Sequence, residues 1–302
     1  MSEVSQDQMV GHGAPAVDPP WLQAAYDRHR LVHTDDCIGS IRHIDAAARL
    51  RGTREVSRGL TLSLSRALSP GAAGGTPSLA PAVYHVHDAT LGTDSVEVQA
   101  HGVGWTHIDS LTHVGLAGTW HSGERSSAVP VDDDSLVSWA NHGIVTRGVV
   151  VDVPRLRGTP WVAVDQPVTA DELDRCLSTA GVKLHPGDAL LVYMGRDRYE
   201  ASGHVVEPIL KSHGRPGIGE SGARWISEQD LGLLCWDFLD AVGDDDGLCV
   251  HRLIWAIGLA LVDNCDLAAV ARLHDVVTGM LVIAPVPLQG ATGCLVNPLF
   301  TI

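Results

Sequence analysis

The sequence predicts an α/β fold, with a single domain built around a mixed β-sheet. From residue 83 onward, strand signals and helix signals alternate along the chain. Two short apolar runs, "GVVVDV" (148–153) and "ALLVYM" (189–194), are bounded by turn residues, which is typical of strands buried on both faces of a sheet. The chain has 302 residues, 45% of them hydrophobic, so it is long enough to bury such a core.

Two segments fall outside this alternation. Residues 1–20 are polar and interrupted by glycine and proline, which predicts a flexible N-terminal arm and leaves 21–302 as the domain. The stretch "LSPGAAGGTPSLAP" (68–81) predicts a loop. The segment before this loop is too short and irregular to form a domain of its own, and the sequence contains no internal repeat.

The remaining elements follow in order. "AVYHVH" (82–87) and "VEVQAHG" (96–102) alternate apolar and polar residues, which predicts two antiparallel strands. A helix is expected over 169–182, because Thr169 can cap it, acidic residues follow in the first turn, and Gly181 ends it. We also expect a helix over 219–229, a strand over 231–237, a helix over 266–273 and a closing strand over 279–288.

Charge and cysteine content exclude several classes of protein. The formal net charge is −15, from 36 acidic and 21 basic residues, and the basic residues form no cluster that would attract a phosphate backbone. The N-terminus lacks a signal-peptide pattern, and no apolar run is long enough to cross a bilayer. The six cysteines form no CxxC pair and lie in apolar surroundings, as buried thiols of a reducing compartment do. We therefore expect a cytoplasmic, globular protein with no nucleic-acid or membrane partner.

One stretch concentrates histidine and aspartate, "HGVGWTHIDSLTH" (101–113). His107 and Asp109 are two residues apart, so both side chains point to the same side of an extended strand. An imidazole and a carboxylate that project together suit zinc, manganese or iron. His101 and His113 are close enough to join them if the chain turns. The alternative is a polar loop whose histidines cap backbone groups.

Further metal ligands would have to come from elsewhere in the chain. In "HRLIWAIGLALVDN" (251–264), His251 begins an apolar run and Asp263 ends it. Ionisable groups at the ends of so apolar a stretch would be buried, and buried charges need a partner or a metal. The alternative is that His251 caps a helix and Asp263 lies in the following loop.

Other motifs do not support a function. "GIGESG" (217–222) matches GxGxxG, but it follows "HGRP" and not a strand, so it is better explained as the approach to a helix. "GESGA" misses the GxSxG nucleophile elbow by one residue, and the chain has neither a P-loop nor HExxH. The acidic runs at 131–135 and 243–247 lack EF-hand spacing and predict solvated turns.

The stretch at 101–113 resembles the signature of the cyclase family of metal-dependent hydrolases, which includes kynurenine formamidase, isatin hydrolase and trans-dienelactone hydrolase. The family motif reads approximately His-x-Gly-Thr-His-x-Asp-x-Pro-x-His, and Thr106, His107, Asp109 and His113 match its last four polar positions. The blocks "RGVVVDVPRLRG", "PGDALLVYMGR", "GESGARWISEQDLGLLCWD" and "HRLIWAIGLALVDN" then follow in the family's order.

The resemblance implies a swivelling β/β/α fold, a homodimer or tetramer, and a divalent metal, zinc or manganese. Carried over by position, His107, Asp109 and His251 are metal ligands, Asp263 stands where an acidic or amide ligand is expected, and His113 is the general acid/base. The chain departs from the motif at Val103, which replaces the first histidine, and at Trp105, which replaces the glycine. His101, two residues upstream of Val103, is the candidate substitute. Together with the shorter Asp263 in place of glutamate, these departures favour one metal over two.

Three functions agree with these residues. The first is a hydrolase that opens an amide, lactam or lactone of a small cyclic or aromatic substrate through metal-activated water. The second is a metal-dependent cyclase or dehydratase acting on an aromatic or polyketide intermediate, and the third is a metal-free binding protein. The indoles of Trp105 and Trp120, within and beside the motif, are candidates for stacking on a flat substrate, although tryptophans are more often part of the core.

Overall fold

The computed structural model describes residues 19–32, 38–68, 82–88, 90–126, 135–206, 214–241, 248–273 and 277–302. Nearly all of the predicted N-terminal arm, of the loop at 68–81 and of the acidic runs at 131–135 and 243–247 lies outside these residues. No helix in the described part of the chain combines the length and the hydropathy needed to cross a bilayer.

The described residues form thirteen strands and nine α-helices. The strands are β1 (Thr61–Ser63), β2 (Val83–Asp88), β3 (Thr93–Glu97), β4 (His107–Asp109), β5 (Ile144–Asp152), β6 (Ala189–Tyr193), β7 (Gly217–Ile218), β8 (Leu233–Trp236), β9 (Leu239–Asp240), β10 (Ala260–Asp263), β11 (Thr278–Ile283), β12 (Gly293–Leu295) and β13 (Leu299–Thr301). The helices are α1 (Pro20–Val32), α2 (Ala46–Arg54), α3 (Ser135–His142), α4 (Val153–Arg157), α5 (Ala170–Ala180), α6 (Arg196–Ala201), α7 (Glu220–Ser227), α8 (Arg252–Ile257) and α9 (Ala268–Ala271), and a 3₁₀ helix spans Gly39–His43.

Nine strands form one mixed sheet in the order β1-β13-β11-β5-β6-β8-β10-β4-β12. The central strands β5, β6, β8 and β10 are parallel to one another, whereas β11 pairs with β5 and β4 pairs with β10 in antiparallel orientation. Each face of this sheet has its own apolar core: Val149 and Val151 of β5 belong to one and Val150 to the other. Burial on both faces explains the continuous apolar runs, and the prediction of an α/β fold with a mixed sheet is confirmed.

Helix ends follow the signals in the sequence. The Glu172 carboxylate accepts the Thr169 backbone N–H at 3.0 Å at the start of α5, and Gly181 ends the helix with φ 67°. The segment "GIGESG" leads into α7, as predicted, but its first two residues also form strand β7, which was not predicted. The helix predicted over 266–273 is shorter and covers only α9.

The segment before residue 69 is part of the same sheet and core. Strand β1 pairs antiparallel with β13, next to the C-terminus. Helix α2 crosses β5 so closely that a Cβ atom at Gly52 would lie 2.5 Å from the carbonyl carbon of Thr146. This close approach requires glycine at position 52 and joins the N-terminal helices to the sheet.

Strands β2 and β3 form a separate antiparallel hairpin. The prediction of a strand over 96–102 is wrong for residues 98–102, which leave the hairpin and lead into the histidine-containing loop. Every described residue of both strands is exposed, including Val86 (70% exposed), and the turn exposes Leu91 (77% exposed). An isolated hairpin is only marginally stable in water. The exposed Val86 and Leu91 therefore form an apolar surface of the kind that another protein surface covers.

A buried histidine outside the cluster predicts a pH dependence of stability. His121 is fully buried, and its Nδ1 donates to the Trp255 carbonyl at 2.8 Å. Burial lowers the pKa of His121 to about 4, although the Trp255 carbonyl counteracts the shift. A histidine with a lowered folded-state pKa contributes stability above its unfolded pKa of about 6.5, and loses it as the pH falls towards 4. The contribution is on the order of 3 kcal/mol.

We therefore expect the free energy of unfolding to fall between pH 6.5 and 4 more steeply for the wild type than for His121→Asn. Asparagine retains a donor for the Trp255 carbonyl but does not titrate in this range. Urea unfolding at several pH values, in the presence of a chelator, measures the free energy of unfolding of both proteins. Parallel pH profiles for the two proteins would contradict the assignment.

Candidate metal centre

Strand β4 presents the first two predicted ligands. It lies between β10 and β12 in the sheet, with His107 opposite Asp263 of β10. His107 and Asp109 are buried on the same side of the strand, and Ile108 between them points into the core of the opposite face. The alternation of side chains along a strand therefore brings the imidazole and the carboxylate together, as the sequence predicted.

Four of the predicted residues converge on the carboxylate of a fifth, Asp109. Oδ1 lies 3.0 Å from His101 Nδ1 and 3.5 Å from His107 Nε2. Oδ2 lies 3.8 Å from His251 Nε2 and 3.9 Å from His113 Nε2. Two sets of three donors result, His101 with His107 and Asp109, and Asp109 with His113 and His251, and within each set the donor atoms lie within 4.8 Å of one another.

The donor set fits a divalent cation. Both carboxylate oxygens of Asp109 and Nδ1 of His101 are buried, and none of the three atoms makes a hydrogen bond of acceptable geometry. Burial alone would raise the pKa of Asp109, but His113, His101 and His107 outweigh it and hold the pKa well below its ordinary value. A buried, ionised carboxylate without hydrogen bonds is costly unless a cation neutralises it. Imidazole nitrogens and a carboxylate oxygen are ligands that zinc and manganese accept.

The outer nitrogens of two histidines are held by the surrounding protein. His107 Nδ1 donates to the Trp105 carbonyl at 2.9 Å, and His101 Nε2 lies 2.9 Å from Thr292 Oγ1. These bonds leave His107 Nε2 and His101 Nδ1 facing Asp109. The alternative from the sequence was that these histidines cap backbone groups. Of the four ring nitrogens of His101 and His107, only His107 Nδ1 binds a backbone group in this way. Such outer contacts are typical of histidines that bind metals.

His251 and Asp263 form a second, hydrogen-bonded part of the centre. His251 Nε2 lies 3.1 Å from Asp263 Oδ2, and its Nδ1 makes a short contact with Asp240 Oδ2. Trp236 Nε1 donates to Asp263 Oδ1 at 2.5 Å. Burial would lower the pKa of His251, but Asp240 and Asp263 raise it well above its ordinary value. His251 occupies the N-cap position of α8, as one alternative from the sequence has it, but its side chain makes no capping hydrogen bond. The other alternative is wrong, because Asp263 does not lie in a loop but is buried at the end of β10.

Asp240 is a residue that the sequence analysis missed. It is fully buried at the end of β9, and its carboxylate accepts the Val250 N–H while it contacts His251 Nδ1. The buried Arg215 donates Nε to the Asp240 carbonyl at 3.0 Å. Burial would raise the pKa of Asp240, but His251 and Arg215 keep it below its ordinary value. An aspartate at the end of a two-residue strand carries no local signal for this role.

His113 lies at the accessible side of the centre. Its side chain is 25% exposed, and its ring stacks on that of His101 with centroids 4.1 Å apart. Burial lowers the pKa of His113 to about 4, although Asp109 counteracts the shift. At neutral pH the ring is therefore neutral and able to accept a proton.

The two predicted substrate-stacking tryptophans lie in different surroundings. Trp105 is only 6% exposed and lines a cavity of about 330 Å³ together with residues 63, 65–68, 106 and 295–297. None of the five converging residues lines that cavity. Trp120 is partly buried in the turn after the centre, where its ring packs so closely on Gly115 that a Cβ there would lie 2.9 Å from Cζ3.

Comparison with known proteins places this geometry in context. A family model described as Putative cyclase matches residues 60–241. A crystal structure described as a novel cyclase is 21% identical, with a TM-score of 0.77, and the match covers 91% of this chain and 97% of that one. No curated protein matches the sequence.

Isatin hydrolase structures share the fold as well. Isatin hydrolase A from Labrenzia aggregata, bound to benzyl benzoate, is 15% identical with a TM-score of 0.55, and the match covers 80% of this chain and 93% of that one. Isatin hydrolase A from Ralstonia solanacearum is 16% identical with a TM-score of 0.54, covering 84% and 94%. The fold that the sequence resemblance implied is confirmed.

Proposed function

The chain belongs to the cyclase family, and we propose that it is a metal-dependent hydrolase that opens an amide, lactam or lactone bond of a small cyclic or aromatic substrate. One observation carries the proposal: the buried Asp109 carboxylate has no hydrogen bond and is surrounded by imidazoles. A single residue of this kind would be a liability in a binding protein that holds no metal. The names of the isatin hydrolases that share the fold support a cyclic amide as the first substrate to try.

His101, His107 and Asp109 are the proposed ligands of one divalent ion, zinc or manganese. Such an ion polarises a substrate carbonyl and lowers the pKa of water towards neutrality. We place one ion here and not two because Val103 replaces the first histidine of the motif and Asp263 is shorter than the glutamate expected at its position. His251 and Asp263, which the resemblance assigns as further ligands, are hydrogen-bonded to each other. Their remaining polar atoms contact Asp240 and Trp236, so this pair borders the ion's site.

His113 is the proposed general acid/base. Its neutral ring at the accessible side of the centre can accept the proton of the attacking water and return it to the leaving nitrogen or oxygen. The buried Asp109, Asp263 and His251 exclude bulk water from the other side. Neither a serine nor a cysteine nucleophile is required. Trp105 and Trp120 remain the proposed substrate-stacking residues, and for Trp105 this requires the substrate to extend into the cavity of about 330 Å³ that Trp105 lines.

The test is hydrolysis by protein loaded with zinc or manganese, assayed against isatin and a panel of cyclic amides, lactams and lactones in ¹⁸O-labelled water. We expect one labelled oxygen in each opened product and no turnover after chelation. Product that forms without label would indicate the cyclase or dehydratase reaction. Folded, metal-supplemented protein that binds no metal would overturn the proposal and favour the metal-free binding protein.

The proposal includes a homo-oligomer, a dimer or a tetramer. The β2–β3 hairpin supports it, because Val86 and Leu91 at its surface are 70% and 77% exposed in the single chain. We expect the wild type to sediment as a dimer or larger, and the variant Val86→Asp/Leu91→Asp to sediment as a monomer. Val286→Asp, at another exposed valine, is the matched control. A monomeric wild type would rule the oligomer out.

A cytoplasmic location is also proposed. The described cysteines, Cys176, Cys235, Cys249, Cys265 and Cys294, are all free, and four of them are buried. Unpaired, buried thiols persist in a reducing compartment. The net charge of −15 is a separate point, and it supports a small-molecule enzyme without a nucleic-acid partner.

A further inference from the structure

The loop between the hairpin and β4 carries His101 at its start and leads directly into His107. Its backbone is irregular, with Gly102 at φ 119°, and no strand ladder holds residues 101–106. An irregular loop needs other partners for its carbonyl groups when it is buried. Those partners are side chains from distant parts of the chain. From their arrangement we infer that Asn264, fixed by Arg196, is a positioning residue for His101 and His107, an inference that rests on the proposed function.

The Asn264 side chain binds both ends of the loop. Its Nδ2 donates to the Gly102 carbonyl at 2.7 Å and to the Trp105 carbonyl at 3.1 Å. The backbone carbonyl of Asn264 accepts from Thr106 Oγ1 at 2.7 Å. One residue therefore holds the residue that follows His101 and the two residues that precede His107.

The Trp105 carbonyl links this contact to a proposed ligand. It accepts from Asn264 Nδ2 and also from His107 Nδ1, at 2.9 Å. The bond to Nδ1 sets the tautomer and the direction of the His107 ring. A shift of this carbonyl would therefore move His107 Nε2 relative to Asp109.

Arg196 determines the orientation of the amide. Its Nη1 donates to Asn264 Oδ1 at 2.5 Å, and because a guanidinium has no acceptor, the amide NH₂ must face the loop. Arg196 Nη2 contacts the Val103 carbonyl, and Nη1 also donates to the Asp237 carbonyl at 3.1 Å. The Arg196 side chain is only 2% exposed, and Nε is paired with Glu200 at 2.8 Å. Few other orientations are open to so constrained a group.

This arrangement explains how His101 replaces the missing motif histidine. The Val103 side chain is buried in the apolar core, and its carbonyl is held by Arg196. The loop is thereby fixed with residue 103 facing away from Asp109 and His101 facing towards it, at 3.0 Å. The chain thus reaches a three-ligand set without a histidine at position 103, and Asn264 and Arg196 stabilise the loop that allows it.

The variant that tests the inference is Asn264→Gly. Asn264 has φ 56°, a left-handed conformation that glycine adopts without strain, so the substitution removes the amide and leaves the backbone compatible. Ala117→Gly is the control, since Ala117 is exposed and also has a left-handed backbone, with φ 49°. Two properties are measured: zinc affinity by competition with a chelating dye, and hydrogen exchange of residues 101–106 in metal-free protein.

We expect Asn264→Gly to bind zinc about 10- to 100-fold more weakly and to exchange residues 101–106 faster, with both properties unchanged in the control. Unchanged exchange of the loop would overturn the inference. Faster exchange with unaltered zinc affinity would show that Asn264 only stabilises the loop, and would also overturn it. A wild type that binds no zinc would overturn the proposed function, whereas metal-free exchange would still show whether Asn264 holds the loop.

Discussion

Replacing Asp109 by asparagine is expected to abolish metal binding and, with it, hydrolysis. The Asp109 carboxylate belongs to both donor sets of the centre, and neither of its oxygens makes a hydrogen bond. Asparagine has nearly the same shape but offers one neutral oxygen and an NH₂ group, which cannot bind a cation. We expect metal content to fall from about one ion per chain to background, because three protein ligands become two.

Elemental mass spectrometry of both proteins after identical metal supplementation measures this effect. Asp45→Asn is the matched control, because Asp45 caps α2 through the Ala48 N–H and asparagine is an equally good cap. Retention of stoichiometric metal by Asp109→Asn would place the ion elsewhere and refute the proposed ligand set. Loss of metal in the control as well would point to a general loss of structure.

Local periodicity predicted the parts of the site that lie on one element. His107 and Asp109 share a side of β4 because side chains alternate along a strand, and this holds whatever the rest of the fold is. His251 and Asp263 were predicted as site residues for a comparable reason. They lie at the two ends of an apolar run, where an ionisable group is buried and needs a partner. Both predictions required only the covalent order of neighbouring residues.

The residues that orient these groups could not be predicted in this way. Asn264 is 162 residues from Gly102 in sequence, and the two meet only because β10 and β4 are neighbours in the sheet. Asp240 and Arg196 are likewise ordinary polar residues until the topology brings them to the centre. Short strands such as β1 and β13 were missed for a related reason, since three residues are too few to show a period.

Replacing His113 is expected to reduce turnover while metal remains bound. His113 Nε2 lies 3.9 Å from Asp109 Oδ2, but the set of His101, His107 and Asp109 is complete without it. Loss of a general acid/base lowers kcat by about 10²- to 10⁴-fold. The ring also stacks on His101, so the effect of packing must be separated from the effect of proton transfer.

Two variants separate these effects. His113→Phe retains a flat ring against His101 but has no titratable nitrogen, whereas His113→Gln retains polarity without the ring. If His113 transfers the proton, both variants lose kcat to a similar extent, keep about one metal per chain, and regain part of their activity with added imidazole, increasingly as the pH rises and more imidazole is neutral. If packing against His101 is what matters, His113→Phe retains most of the activity and imidazole restores nothing. We expect the first outcome, because the His113 ring is 25% exposed at the accessible side of the centre and is neutral at neutral pH, where its nitrogen is free of a second proton.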